Sequence, residues 1–230
     1  MPPKLPKKSV FLQLLRRSLR QAKAAHDMVL WEELQQVQHA WQQPFPRLTR
    51  LLQQASSHQT KHYIAEAFAL AQDPRAVPVL IRAAKQPENS ADNAPYFWAC
   101  EHYDCSAYLS FFVQFLLQCQ DPGEAMLACV AVIEAMPGPF APPVIKRAIT
   151  RLLLGKRPVV MPELQVQHEL FLAQASYALA DAYFEQVDQA WKTDAGTPWT
   201  FYQGLNQKSA SANQRKQQEP NSTNPNQSCQ

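Results

Sequence analysis

The chain has 230 residues, 46% of them hydrophobic, a net charge of +3, and no apolar run near the ~18 residues of a membrane span. That length can bury a substantial core, and the charge is too small to demand nucleic acid by itself. Gly is scarce (5) and Pro plentiful (19), which disfavours hairpin-rich β architecture and favours helices cut by sharp turns.

The N-terminus carries Lys4, Lys7, Lys8, Arg16, Arg17, Arg20 and Lys23, with Asp27 the first acid. A solvated basic helix face accounts for this run, with contact to an anionic surface or a transit peptide as alternatives. It has no continuous apolar segment followed by a small-residue cleavage site, so a cytoplasmic chain with reduced thiols is expected. Ser9 is placed to cap a first helix through Leu12, Leu15 and Leu19. A second helix is expected over residues 27–41, with Met28, Trp31, Leu34 and Trp41 among its apolar positions. "QQPFP" breaks the chain, and Leu48, Leu51 and Leu52 mark a third helix. Residues 62–71 form a fourth, with Tyr63, Ala67 and Leu70 on one side.

The stretch "LAQDPRAVPVLIRAA" holds two prolines where a helix is expected. Asp73-Pro74 ends the fourth helix, because the residue before a proline avoids the α region. If the next helix starts near Ala76, Pro78 falls at its third position, whose N–H has no intrahelical partner anyway. The segment is then an αα-hairpin. It recurs in "ACEHYDCSAYLSFFVQFLL", where Asp104 stands 31 residues after Asp73, and more weakly in "AVIEAMPGPFAPPVIKRAITRLLL", with Pro143 in the role of Pro78. A repeated helix pair every ~30 to 45 residues is the signature of an α-solenoid.

The run Asp73-Pro-Arg-Ala-Val-Pro-Val-Leu-Ile resembles the turn and second helix of the short HEAT-like repeats of bacterial proteins, phycobilisome-lyase-type repeats included. Tyr103-Asp-Cys-Ser resembles the corresponding turn in single-domain members, and the resemblance covers residues 58–155. It implies an all-α fold: a short α-solenoid with an N-terminal helical cap, a long C-terminal helix and a disordered tail. The expected division is a basic helical region (1–57), the repeats (58–157), a capping helix (158–205) and a tail (206–230) too poor in apolar residues to order itself.

Along the last helix, Val166, Leu170, Ala173, Tyr177, Ala180, Phe184, Val187 and Trp191 follow alternating spacings of four and three. Small or β-branched residues alternate with larger ones, a seam that lets another helix approach closely. The simpler expectation is that this seam caps the solenoid; the sharper one is a homodimer through residues 166–191 or a partner-docking helix.

Little in the chain points to chemistry. Cys100, His102 and Cys105 give one C-x-H-x2-C set without the second ligand pair of a structural zinc site. His58 and His62 are one turn apart but lack an obvious third ligand, and no Gly-rich phosphate loop or G-x-S-x-G elbow occurs. No catalytic residue, metal or cofactor is therefore expected. The leading expectation is a binding module. Its contact surface is the stretch 85–104, with Tyr96, His102 and Tyr103 among Glu88, Asp92 and Glu101, because aromatics are enriched at binding hot spots. Phe97 and Trp98 are assigned to the core. The resemblance implies a protein partner, as for toxin-neutralising immunity proteins and adaptors. It also admits a nucleic-acid reading, in which Arg16, Arg17, Arg20 and Lys23, continued by Arg47, Arg50 and Lys61, form one stripe. Arg147, Arg151, Lys156 and Arg157 form the other. A bilin-lyase or chaperone role is the third alternative.

Overall fold

The computed structural model describes residues 7–42, 45–155 and 162–193. Among these residues there are ten α-helices and no strand, so the fold is all-α. The chain divides into two units, 1–183 and 184–230; the described residues of the second, 184–193, are the end of the last helix.

In α1 (Lys8–Ala24) the buried positions Phe11, Leu15, Ser18 and Ala22 recur every three or four residues, which is why this segment is a one-sided helix. Its N-cap is Lys7, whose carbonyl accepts from the Val10 and Phe11 amides; Ser9 lies within the first turn and caps nothing. α2 (Met28–Ala40) has the cap its sequence suggests: Asp27 Oδ1 accepts from the Leu30 amide at 3.0 Å. α3 (Phe45–Gln54) presses Leu48 and Leu52 inward.

α4 (His58–Ala71) starts four residues earlier than its sequence pattern suggests. The reason lies outside the helix. Glu33 of α2 accepts from the Ser56 amide and hydroxyl, both at 2.8 Å, and from the Ser57 amide at 3.3 Å. Those donors would otherwise be unpaired at a helix entry. Burial pushes the Glu33 carboxyl up, but these hydrogen bonds outweigh it and hold the group below its ordinary value.

Gln72, in the left-handed region at φ 54°, stops α4, and α5 (Ala76–Ala84) follows, with Pro78 at its third position as expected. Asp73 Oδ1 bridges the turn by accepting from the Arg75 amide at 3.0 Å. The same device recurs 31 residues on, where Asp104 Oδ1 accepts from the Ser106 amide at 2.9 Å. This second turn joins α6 (Ala94–Cys100) to a single 3-10 turn and α7 (Leu109–Gln118). α8 (Glu124–Ala135) and α9 (Pro142–Leu154) follow, with Pro143 at the second position of α9.

Neighbours in the chain pair as α1–α2, α2–α3, α3–α4, α5–α6 and α7–α8, whereas α4–α5 and α6–α7, the pairs that the two aspartate turns join, do not pack closely on each other as the expected hairpins would. Helices two apart also pack on each other, α2 on α4, α4 on α6, α6 on α8 and α7 on α9. Apolar residues on nearly every side of α8, from Met126 to Ile133, match its place in the interior. α10 (Pro162–Thr193) is the longest helix, and His168, Phe171, Leu172, Ala175, Ser176 and Leu179 are its buried positions among the described residues.

Candidate interaction surface

The aromatic residues expected to form the contact surface are mostly inside. Tyr96 is 1% exposed and Tyr103 9%. Tyr103 reaches back across α4 to donate its hydroxyl to the Phe68 carbonyl, so it ties the second turn to the first hairpin. Burial, followed by the nearby Asp92 and Glu88, pushes the Tyr96 hydroxyl up to about 12. Both tyrosines are core residues whose polar ends happen to lie near acids. His102 is half-buried, its Nδ1 has no hydrogen-bond partner among the described residues, and burial lowers its pKa. Phe97 is fully buried, while Trp98 is half-buried and donates its Nε1–H to Glu124 at 3.0 Å.

The acids of that stretch stand differently. Glu88 is exposed, and Asp92 lines a cleft of about 410 Å³ together with Asn93, Phe115, Cys119, Asp121 and Glu124. Asp92 is also the acid that the histidine pair lacked in sequence. Its Oδ2 lies 2.7 Å from His62 Nε2 and 3.7 Å from His58 Nδ1. With Lys61 donating to Asn89 at 2.9 Å, these contacts pin the segment before α6 onto α4. No three His, Cys, Asp or Glu among the described residues form a metal-holding group. Glu101 is half-buried, and burial and then the charge of Glu134 raise its pKa.

Cys100, Cys105 and Cys129 are buried and, with Cys119, unpaired. A hydrogen bond with Cys105 and burial push the Cys100 thiol up, and burial does the same to Cys129. Neither is held as the thiolate that nucleophilic chemistry needs.

Arg16, Arg17, Arg20 and Lys23 are exposed along α1, opposite its apolar stripe. Arg147 is exposed on α9, whereas Arg151 is half-buried and donates to Gln114 of α7. α1 packs on α2 and α4 and α9 packs on α7, so the two basic groups belong to separate helix pairs. Lys4, Lys156 and Arg157 lie outside the described residues, as do the tail and the boundaries drawn at 157/158 and 205/206.

The largest departure from expectation is α10. Its seam does not cap the rest of the chain. The packing face is His168, Phe171, Leu172, Ala175 and Leu179, on the other side of the helix. Val166 (76%), Leu170 (62%) and Tyr177 (74%) stand open to solvent; beyond residue 183, Phe184 (68%) and Trp191 (52%) continue the same spacing. Over residues 162–183, α10 thus has two apolar faces, and Val166, Leu170 and Tyr177 leave the outer one open to solvent. Gln174 anchors it laterally, donating to Glu134 of α8 at 2.8 Å. His168 is wholly buried, and neither ring nitrogen has a hydrogen-bond partner among the described residues. The outer face was legible as a seam in the sequence. What the sequence did not show was which of two apolar faces turns inward.

Comparison with protein-family models, with curated proteins and with solved structures finds no match for this chain.

Proposed function

We propose that the chain is a non-catalytic protein-interaction module built on stacked HEAT-like helical hairpins. The packing of helices two apart in the chain supports the scaffold, and the aspartate turn at Asp73 and Asp104 supports a repeat of 31 residues. The observation that carries the interaction reading is the open stripe of α10. Large apolar side chains more than half exposed and evenly spaced along one helix are costly in water unless a partner covers them. The contact surface is therefore assigned to α10 rather than to the tyrosines of the stretch 85–104, and the acidic cleft at Asp92 is secondary to it.

The test is affinity purification of the tagged chain from its native cell at low and high salt, in parallel with Tyr177→Asp. A stoichiometric protein that survives high salt and is lost in the variant supports the module. Nucleic acid recovered only at low salt, equally by both proteins, would replace it with the second reading. The acid-free face of Arg16, Arg17, Arg20 and Lys23 favours that reading, since phosphate contacts weaken steeply as salt rises.

A further inference from the structure

We propose that the acidic cleft at the entries of α6 and α8 binds a linear aliphatic diamine or longer polyamine, with one ammonium at Asp92 and Asn93 and another at Asp121 and Glu124. The site is separate from the α10 stripe and stands or falls independently of it.

Three carboxylates line this cleft of about 410 Å³, and no Lys, Arg or His lines it among the described residues. Asp92 comes from the segment before α6, whereas Asp121 and Glu124 come from the entry to α8. The fold uses only part of their capacity. Asp92 gives Oδ2 to His62 and His58, and Glu124 gives Oε1 to Trp98. Asp92 Oδ1, Glu124 Oε2 and the Asp121 carboxylate take no hydrogen bond or ion pair among the described residues.

Asn93 points to a ligand independently of the acids. It is the N-cap residue of α6, where an asparagine ordinarily accepts from an amide of the first turn, yet its side chain makes no capping bond. The residue is 6% exposed, its amide has no hydrogen-bond partner among the described residues, and what it leaves open lies in the cleft. A nearly buried amide left unpaired is unfavourable, and an ammonium bound beside it supplies the donor that its carbonyl oxygen accepts.

The acids sit on two separate stretches of chain, so the negative charge is spread along the cleft and not gathered at a point. No three His, Cys, Asp or Glu among the described residues come together as a metal-holding group, and a compact divalent ion is not matched by these donors. A chain with an ammonium at each end is matched. Its charges meet separate carboxylates, and its methylenes have the half-buried Phe115 to lie against. The cleft volume is within the range of small-ligand sites. The chain as a whole carries +3, so its overall charge repels such a ligand and binding has to come from the local acids.

The test is isothermal titration calorimetry of the full chain with 1,4-diaminobutane, 1-aminobutane and Mg²⁺ at low ionic strength. The diamine is expected to bind once per chain and about tenfold tighter than the monoamine, because only the diamine engages both groups of acids. Asp121→Asn and Glu124→Gln, both at exposed positions, are each expected to weaken the diamine about tenfold with unchanged helicity by circular dichroism. Asn93→Ala removes an amide the fold does not use, so it should weaken the diamine with little loss of stability in urea. Glu32→Gln removes the same charge at an exposed position of α2 outside the cleft and should leave binding unchanged. Losses confined to the cleft variants support the proposal. An absence of binding, or equal weakening by Glu32→Gln, leaves only diffuse charge and overturns it. A monoamine that binds as tightly as the diamine overturns the two-ended reading in favour of a single lysine-like side chain, and Mg²⁺ that displaces the diamine at equal concentration puts a metal ion in its place.

Discussion

Glu33 shows how one side chain sets an element that sequence periodicity misplaces. Its carboxylate takes the donors ahead of α4, and the helix starts at His58 as a result. Because those hydrogen bonds favour the ionised form, its folded-state pKa lies below the ordinary glutamate value. A depressed carboxylate contributes stability that is fully present above its unfolded value and is lost as pH falls through the folded one. Glu33→Ala is therefore expected to cost about 1 kcal/mol near neutral pH, a figure typical of helix-entry hydrogen bonds at a largely exposed site. The gap between the two proteins in urea denaturation should narrow as pH falls below the ordinary glutamate value of ~4.3 and close only below the lower folded-state one, where wild-type Glu33 is protonated as well. A gap that stays constant with pH would mean that the carboxylate charge plays no part. Burial raises the pKa of Glu66, which has the opposite sign, so the comparison has to be made between the two proteins and not on wild type alone. The same long-range character explains what stayed hidden at this scale. Asp73 and Asp104 bond two residues away and are readable as turns, whereas Tyr103 bonds a carbonyl 35 residues away. An aromatic among acids looks like a hot spot until that carbonyl is located.

At the scale of the element, α10 separates two roles that a hydrophobicity pattern merges. Periodicity detects apolar residues without saying which of them meet the same molecule. α10 carries both a packing set and an outer set, and the outer set, being larger and more regular, dominates the pattern. The two sets predict different mutational costs. Leu172→Ala removes a side chain that is 1% exposed and is expected to cost about 2 to 5 kcal/mol, the range for emptying a core leucine site. Tyr177→Ala, at 74% exposure, is expected to change the stability of the monomer by less than about 0.5 kcal/mol. Both are read by urea denaturation in a Leu170→Lys background, which removes any contribution from pairing. Comparable costs in the two variants would place Tyr177 in the core and remove the basis for an open seam. Pro78 and the start of α5, by contrast, were legible because the rule that governs them is local. A proline lacking an N–H suits the first turn of a helix, and no distant residue bears on it.

For the whole molecule, self-association through the seam of α10 would make pairing and folding mutually dependent. The inner face holds the helix to the rest of the chain through Phe171, Leu172, Ala175 and Leu179. If α10 must be docked and helical to pair, the dimer binds only the folded state, and mass action raises the apparent stability as protein concentration rises. A tenfold increase is worth about 1.4 kcal/mol per dimer, or roughly 2 °C in Tm for a chain of this size. Scanning calorimetry of wild type over a hundredfold concentration range should therefore show a rising Tm. Leu170→Lys should show a flat one at or below the lowest wild-type value. A rising Tm in both proteins would place the concentration dependence on another surface. A flat Tm in wild type, in a protein that still sediments as a dimer, would mean that the pair dissociates before the fold is lost. In that case α10 would act as a detachable connector, and its inner and outer faces would be energetically independent.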